Sequence, residues 1–267
     1  MIEALILANG IRFTSLAEVN EWALRTQPAT VRVVASGTIH TDPTVFTYAP
    51  PGGLWITGGK WVGDGEGFWL SYQPEAPAAG VGWLHVSNVT VARWGRGGIE
   101  VSPTVGGDKY GAGYGAWLGV VTVEGARFLD LGHKTPQAWS ENRYGVAGVL
   151  VRGVRSLLVT GSRFHRLINT DLTDVGNGPA LIHAVYVREF SRATVAGCEF
   201  KRISGDPVRV SNGATVKVTG SSGKLAGERA FVSDWHTPDQ APSRVSLSGN
   251  KPSTLFNGAK SLKLWSV

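Results

Sequence analysis

The sequence predicts an all-β solenoid. Three observations predict it: a hexapeptide that returns at a fixed interval, an apolar strand that returns with it, and a glycine-rich composition low in charge. The hexapeptide Val-x-Gly-x-x-Phe occupies residues 123–128, 159–164 and 195–200, two successive intervals of 36 residues. Weaker copies start at Ile56, Val91, Val218 and Leu247. A short strand unit cannot bury its apolar face alone, so recurring units stack and share one core. The chain has 36 glycines and only 17% charged residues, which suits many tight turns and few exposed helices.

The elements follow in order. Ser15 and Glu18 form a capping box ahead of Val19, Trp22 and Ala23, which predicts one helix over residues 16–25. At the start of a solenoid such a helix covers the open end of the core, where a bare strand edge invites aggregation. Residues 31–39 read as the first coil, and alternating apolar strands and glycine turns continue from there. No linker or change of composition divides the chain. It is therefore one domain over 1–267, with a cap segment in 1–30 and coils in 31–267.

Aligning the hexapeptides aligns a second strand, with copies at 148–152, 184–188, 207–211 and 230–234. Val185 to Val208 and Val208 to Phe231 are both 23 residues, so a basic coil has about that length. Side chains alternate along a strand. Val149, Val151, Val185, Val187, Val208 and Val210 then point inward. Leu150, Tyr186, Arg209 and Val232 form one outward column, and Arg152, Arg188, Ser211 and Asp234 the next. Trp61 and Trp94 take the Phe position of the repeat and belong to the core.

The stretches 183–187, 193–200 and 205–211 resemble the right-handed parallel β-helix of the pectate-lyase-like superfamily. The resemblance runs from the capping helix to about Leu247. It implies a single-stranded right-handed parallel β-helix. That superfamily includes polysaccharide lyases, glycoside hydrolases, carbohydrate esterases, epimerases and phage tailspike proteins, so the fold leaves the chemistry open. It also implies a glycan groove along the parallel sheet.

Coils of 36 residues exceed the basic coil by 13, and the extra residues fall near 130–144 and 168–182. These insertions should leave the same corner and wall one side of the groove, joined by an earlier excursion at 103–117. On the groove floor the catalytic candidates are His183, Tyr186, Arg188, Asp206 and Arg209. Lyase chemistry needs a base for the proton beside a uronate carboxylate and a cation for the developing charge. Arg152, Arg188 and Arg209 suit a uronate-rich polymer because guanidinium grips carboxylates with two parallel bonds. His183, aligned with Asp206 and Arg229, reads either as a proton-transfer pair or as a polar turn ladder.

Substrate-binding candidates are Arg152, Lys134, Trp139, Tyr144, Asp171, Asp174 and Asp234. Trp117, Trp139 and Trp235 offer flat apolar faces for stacking on sugar rings, and His236 joins that rim. A hydrolase would need two carboxyls roughly 5 to 10 Å apart, which Asp171, Asp174 and Asp206 would have to supply. No cofactor is expected. Calcium is the one ion that the oxygen-rich loop around Asp171 leaves open.

The net charge of +6 and pI near 9.6 favour anionic partners. The basic residues form no run and no nucleic-acid motif, so an acidic polysaccharide is expected rather than nucleic acid. The lone Cys198 allows no intrachain disulfide and reads as a small residue in a strand turn. The N-terminal segment carries an acid where a leader has Lys or Arg, and no stretch is long and apolar enough to enter a membrane. An extracellular or virion-associated protein is expected, as a monomer or a homotrimer. Three functions remain open: cleavage of an acidic glycan by a lyase or hydrolase, glycan recognition on a phage tail without cleavage, or a structural or adhesive solenoid.

Overall fold

The computed structural model describes residues 4–63, 67–74, 83–102, 118–132, 146–168, 182–189, 191–226, 231–235 and 241–251. The chain opens with β1 (Leu5–Ala8) and β2 (Ile11–Phe13), an antiparallel hairpin pairing Ala8 with Ile11. Its turn is Asn9-Gly10, both with positive φ (49° and 83°), the dipeptide that a two-residue hairpin turn favours. The helix α1 (Leu16–Thr26) follows. Ser15 Oγ accepts from Glu18 N–H, and the Glu18 carboxylate reaches back to accept from Thr14 N–H and Oγ1 and from the Ser15 backbone. Leu16, Val19 and Ala23 bury one helical face on the core. Asn20 fixes the helix to the first coil, its Oδ1 accepting from Thr47 and Tyr48 N–H.

Parallel coils with three faces come next. The first face holds β3 (Val31–His40), β5 (Leu54–Val62), β7 (Trp83–Ser87), β10 (Leu118–Glu124), β13 (Val154–Thr160), β16 (Arg192–Ala196), β19 (Thr215–Thr219) and β22 (Arg244–Ser248). The second face holds the end of β5, then β8 (Thr90–Ala92), β11 (Arg127–Leu131), β14 (Arg163–Leu167), β17 (Glu199–Ile203) and β20 (Ser222–Ala226). The long strand β5 pairs with both β7 and β8, so these two faces are one continuous sheet. The third face is a separate sheet of β4 (Thr44–Phe46), β6 (Phe68–Tyr72), β9 (Gly97–Val101), β12 (Val146–Arg152), β15 (Ile182–Arg188), β18 (Val208–Ser211) and β21 (Val232–Trp235). This is a parallel β-helix. β1 lies antiparallel on β3 and covers the first edge together with α1.

The register explains the hexapeptide. Val123, Val159 and Val195 lie side by side, and so do Phe128, Phe164 and Phe200. The glycine column, with Gly161 (φ 55°) and Gly197 (φ 61°), sits at the corner between the first two faces, where the chain takes the left-handed conformation. Behind it runs a hydrogen-bond ladder. Ser162 Oγ accepts from Ala126 N–H, Ser221 Oγ accepts from Cys198 N–H, and Asn250 Oδ1 accepts from Ser221 N–H. Cys198 takes a serine-like place in this ladder.

The phenylalanines stack through the core. Ring centroids are 4.9 Å apart for Phe128–Phe164 and 5.4 Å for Phe164–Phe200. The third face makes room for them with glycine. A Cβ on Gly148 would lie 2.6 Å from a Phe164 ring carbon, and one on Gly98 2.4 Å from Phe128. Trp61 occupies the Phe position as expected. Trp94 does not: Val91 pairs with Phe128, which places Trp94 level with Leu131, although it is fully buried.

Coil length varies without disturbing register. Val33 to Ile56 and Val195 to Val218 span 23 residues, and Val159 to Val195 spans 36. The extra residues of the longest coils fall in two junctions. Segments 133–145 and 169–181 follow β11 and β14, before the third face; segment 103–117 follows β9, after it. Segment 103–117 thus connects to the described strands at the other border of the third face, and all three segments of the expected groove wall lie outside the described residues.

Candidate functional site

The outer surface of the third face carries the predicted floor. One outward column, read across the ladder, is Ser71, Glu100, Leu150, Tyr186, Arg209 and Ser233. The final step, from Val208 to Val232, is 24 residues rather than 23. This corrects two expectations. Val232 is fully buried in the core and Ser233 takes its place outside. Asp234 pairs with Val210, and Trp235 rather than Asp234 lies opposite Ser211. The cause is Phe231 beside Val232: two adjacent apolar residues offer two registers, and a one-residue slip exchanges faces.

Several predicted residues do meet. His183 pairs with Ala147 in the ladder and, one coil on, lies against Asp206. Its Nδ1 lies 2.8 Å from the Asp206 backbone carbonyl, an oxygen that only accepts. Nδ1 is therefore the donor in this contact. The His183 ring meets Tyr186 edge-on at 5.3 Å, and the Arg188 guanidinium lies over the Tyr186 ring at 5.4 Å. The Arg209 Nη1 donates to Ser233 Oγ at 3.0 Å. His183, Tyr186, Arg188 and Asp206 are all buried, with Asp206 at 0% exposure, while Arg152 and Arg209 are half-buried. Phe68, Ala147, Leu150 and Tyr186 form a small apolar cluster of their own outside the main core.

Sequence reasoning missed Glu189. Its carboxylate lies 2.9 Å from Arg188 Nη2, and both side chains are less than a tenth exposed. Burial pushes the Glu189 carboxyl above its ordinary value, while Arg188, Arg152 and Asn212 draw it back. Glu189 (φ 45°) sits at a left-handed corner that neighbouring coils fill with Gly153 (φ 57°) and Asn212 (φ 54°). A glutamate where the sister corners carry Gly and Asn was the available signal. Glu100, half-buried in the Tyr186 column and hydrogen-bonded to Ser71 Oγ, is a second carboxylate not foreseen.

Lys134, Trp139, Tyr144, Asp171 and Asp174 lie outside the described residues, as do Trp117, Arg229 and His236. Among the described residues no three His, Cys, Asp or Glu side chains gather as a metal site, and no helix is long and apolar enough to cross a membrane. Cys198 is 2% exposed, its thiol pushed up to about 11 by burial, so it is no thiolate nucleophile at neutral pH. The fold and this outer patch define the chain as a parallel β-helix with a buried His–Tyr–Arg–Glu cluster. Comparison with protein-family models, with curated proteins and with solved structures finds no match to this chain.

Proposed function

We propose that this β-helix acts on an acidic polysaccharide at the outer surface of its third face, by the lyase chemistry that its resemblance to the pectate-lyase-like superfamily implies. The observation that carries the reading is the contact chain His183–Tyr186–Arg188, joined in the ladder to Arg152 and Arg209. In such a reaction His183 Nε2 would take the proton from the carbon next to a uronate carboxylate. The electron pair forms a double bond to the next carbon as the glycosidic C–O bond breaks, and the leaving oxygen takes up a proton. Arg152 and Arg209 would hold the carboxylate and its developing charge. Asp206 has its carboxyl fully buried, which favours this reading over a two-carboxylate hydrolase.

A second reading is glycan recognition without cleavage, as on a phage tail. The burial of His183 and Asp206 favours it, because a general base must reach its substrate. Either reading is compatible with a monomer or a homotrimer outside the cell. Incubation with a panel of acidic and neutral polysaccharides, following unsaturated-uronate absorbance and reducing ends together, separates them. Absorbance that rises in wild type and disappears in His183→Ala supports the lyase. Binding without either product supports recognition. Neither binding nor product across the panel overturns the proposal.

A further inference from the structure

The second face carries a charge pattern that the linear sequence hides. Outside the phenylalanine stack, β11, β14 and β17 place Arg127, Arg163 and Glu199 side by side, all exposed. Two residues on, His165, Lys201 and Lys224 lie side by side. A third column, one residue further, is Arg93, Asp130, Arg166 and Arg202, ending in Leu225. With Lys60 at the head of the first column, the face presents eight lysines and arginines against two carboxylates. That net of +6 equals the formal charge of the whole chain.

Two features separate this face from an ordinary solvated surface. Like charges lie directly across the ladder, as with Lys201 and Lys224, about 4.8 Å apart by strand spacing, and such pairs destabilise a sheet. The third column also has positive φ throughout: Arg93 66°, Asp130 55°, Arg166 59°, Arg202 54° and Leu225 51°. A non-glycine residue in that conformation costs about 1–2 kcal/mol. The neighbouring left-handed corner of the same coils is filled by Asn88 and then by glycine at 125, 161, 197 and 220. Arginine thus occupies strained positions where glycine would fit freely. The exposed pair Arg163–Glu199 and the partly exposed pair Arg166–Asp130 contribute little to stability and do not account for it.

We infer that the second face is a docking strip for a linear polysaccharide bearing a carboxylate on each sugar, laid along the solenoid axis and separate from the third-face cluster. One coil adds one step of cations about 4.8 Å along the axis, a spacing that meets a chain of regularly placed single charges. Asp130 and Glu199 interrupt the cations with acceptors, which suit sugar hydroxyls. Trp61, Phe128, Phe164 and Phe200 of this face point into the core, which leaves the His165 imidazole as the outward ring among its described residues and gives a run of bases no stacking platform. These points favour a polyuronate over single-stranded nucleic acid. The inference does not depend on catalysis at the third face.

The test is binding of polygalacturonate to the full chain at low and moderate salt. One variant is Arg163→Ala/Arg166→Gly/Arg202→Gly, in which glycine removes charge while relieving the left-handed backbone. The other is Arg192→Ala/Lys217→Ala/Arg244→Ala, which removes equal charge from exposed positions on the first face. The first variant should melt no lower than wild type, lose about tenfold or more in affinity, and show a shallower salt dependence. The second should lose far less. Equal losses in both variants, or no binding by wild type, overturn the inference. Single-stranded DNA bound as tightly, and weakened as much by the first variant, replaces the polyuronate with nucleic acid.

Discussion

Breaking the Arg188–Glu189 pair tests what the buried cluster does. Both side chains are less than a tenth exposed, with nitrogen and oxygen 2.9 Å apart. Glu189→Gln keeps the shape and the left-handed corner but leaves the Arg188 charge buried without its counter-charge. Arg152, the neighbour in the ladder, has the same sign and offers no relief. The expected loss is about 3–5 kcal/mol. Arg188→Met leaves a carboxyl that burial already pushes upward, so it can take a proton, and the loss should be nearer 1–3 kcal/mol. Replacing both removes the charges together and should return stability to within about 2 kcal/mol of wild type. Urea unfolding at neutral pH, followed by far-ultraviolet circular dichroism, gives all three values. A double variant whose loss equals the sum of the singles, or a Glu189→Gln loss below about 1 kcal/mol, would refute the reasoning.

Other outcomes follow from single contacts. Gly148→Ala drives a methyl against Phe164 and the Ala184 carbonyl at 2.6–2.8 Å, and should cost about 1–3 kcal/mol in the same assay. Cys198 should resist a thiol reagent at pH 8 in the folded protein and react fully in denaturant, whereas Cys198→Ser should cost under about 1 kcal/mol because Ser162 and Ser221 fill the same ladder position. Burial, then Lys201 and Arg166, hold the His165 imidazole below its usual 6.5. The folded protein then binds fewer protons there than the unfolded chain, so stability falls as pH drops from about 6.5 toward the lowered value, and His165→Gln should flatten that slope. A proton NMR titration of His165 should show its pKa rise when polygalacturonate occupies the second face; no change would count against the docking strip.

The spine was legible because its constraints are steric. Glycine at the left-handed corner and phenylalanine in the stack leave few substitutes, so the interval of 36 shows directly. The hairpin at Asn9-Gly10 was equally legible and was missed, because the segment was read only as a possible leader. The sequence leaves register open where two apolar residues adjoin, as at Phe231-Val232, and a partial copy such as that at Val91 does not show that Val86 holds the Val position and Val91 the Phe position. Tyr186, Arg188 and His183 were found because the ladder aligns them, but the Glu189 pairing exists only once the corner folds. The second-face cations look dispersed in sequence because Arg127 and Arg163, or Arg166 and Arg202, are 36 residues apart along the chain and one coil apart in space.

Coils of 23 and 36 residues stack in the same register, so the spine is indifferent to what is inserted at its junctions. Each coil meets only its neighbours. A lineage could exchange the segments at 133–145 and 169–181 wholesale, and with them whatever they recognise, without disturbing the stacked phenylalanines. Sequence divergence in such a protein would fall on the insertions and spare the glycine and phenylalanine columns. Two relatives with different partners could therefore share little beyond that period.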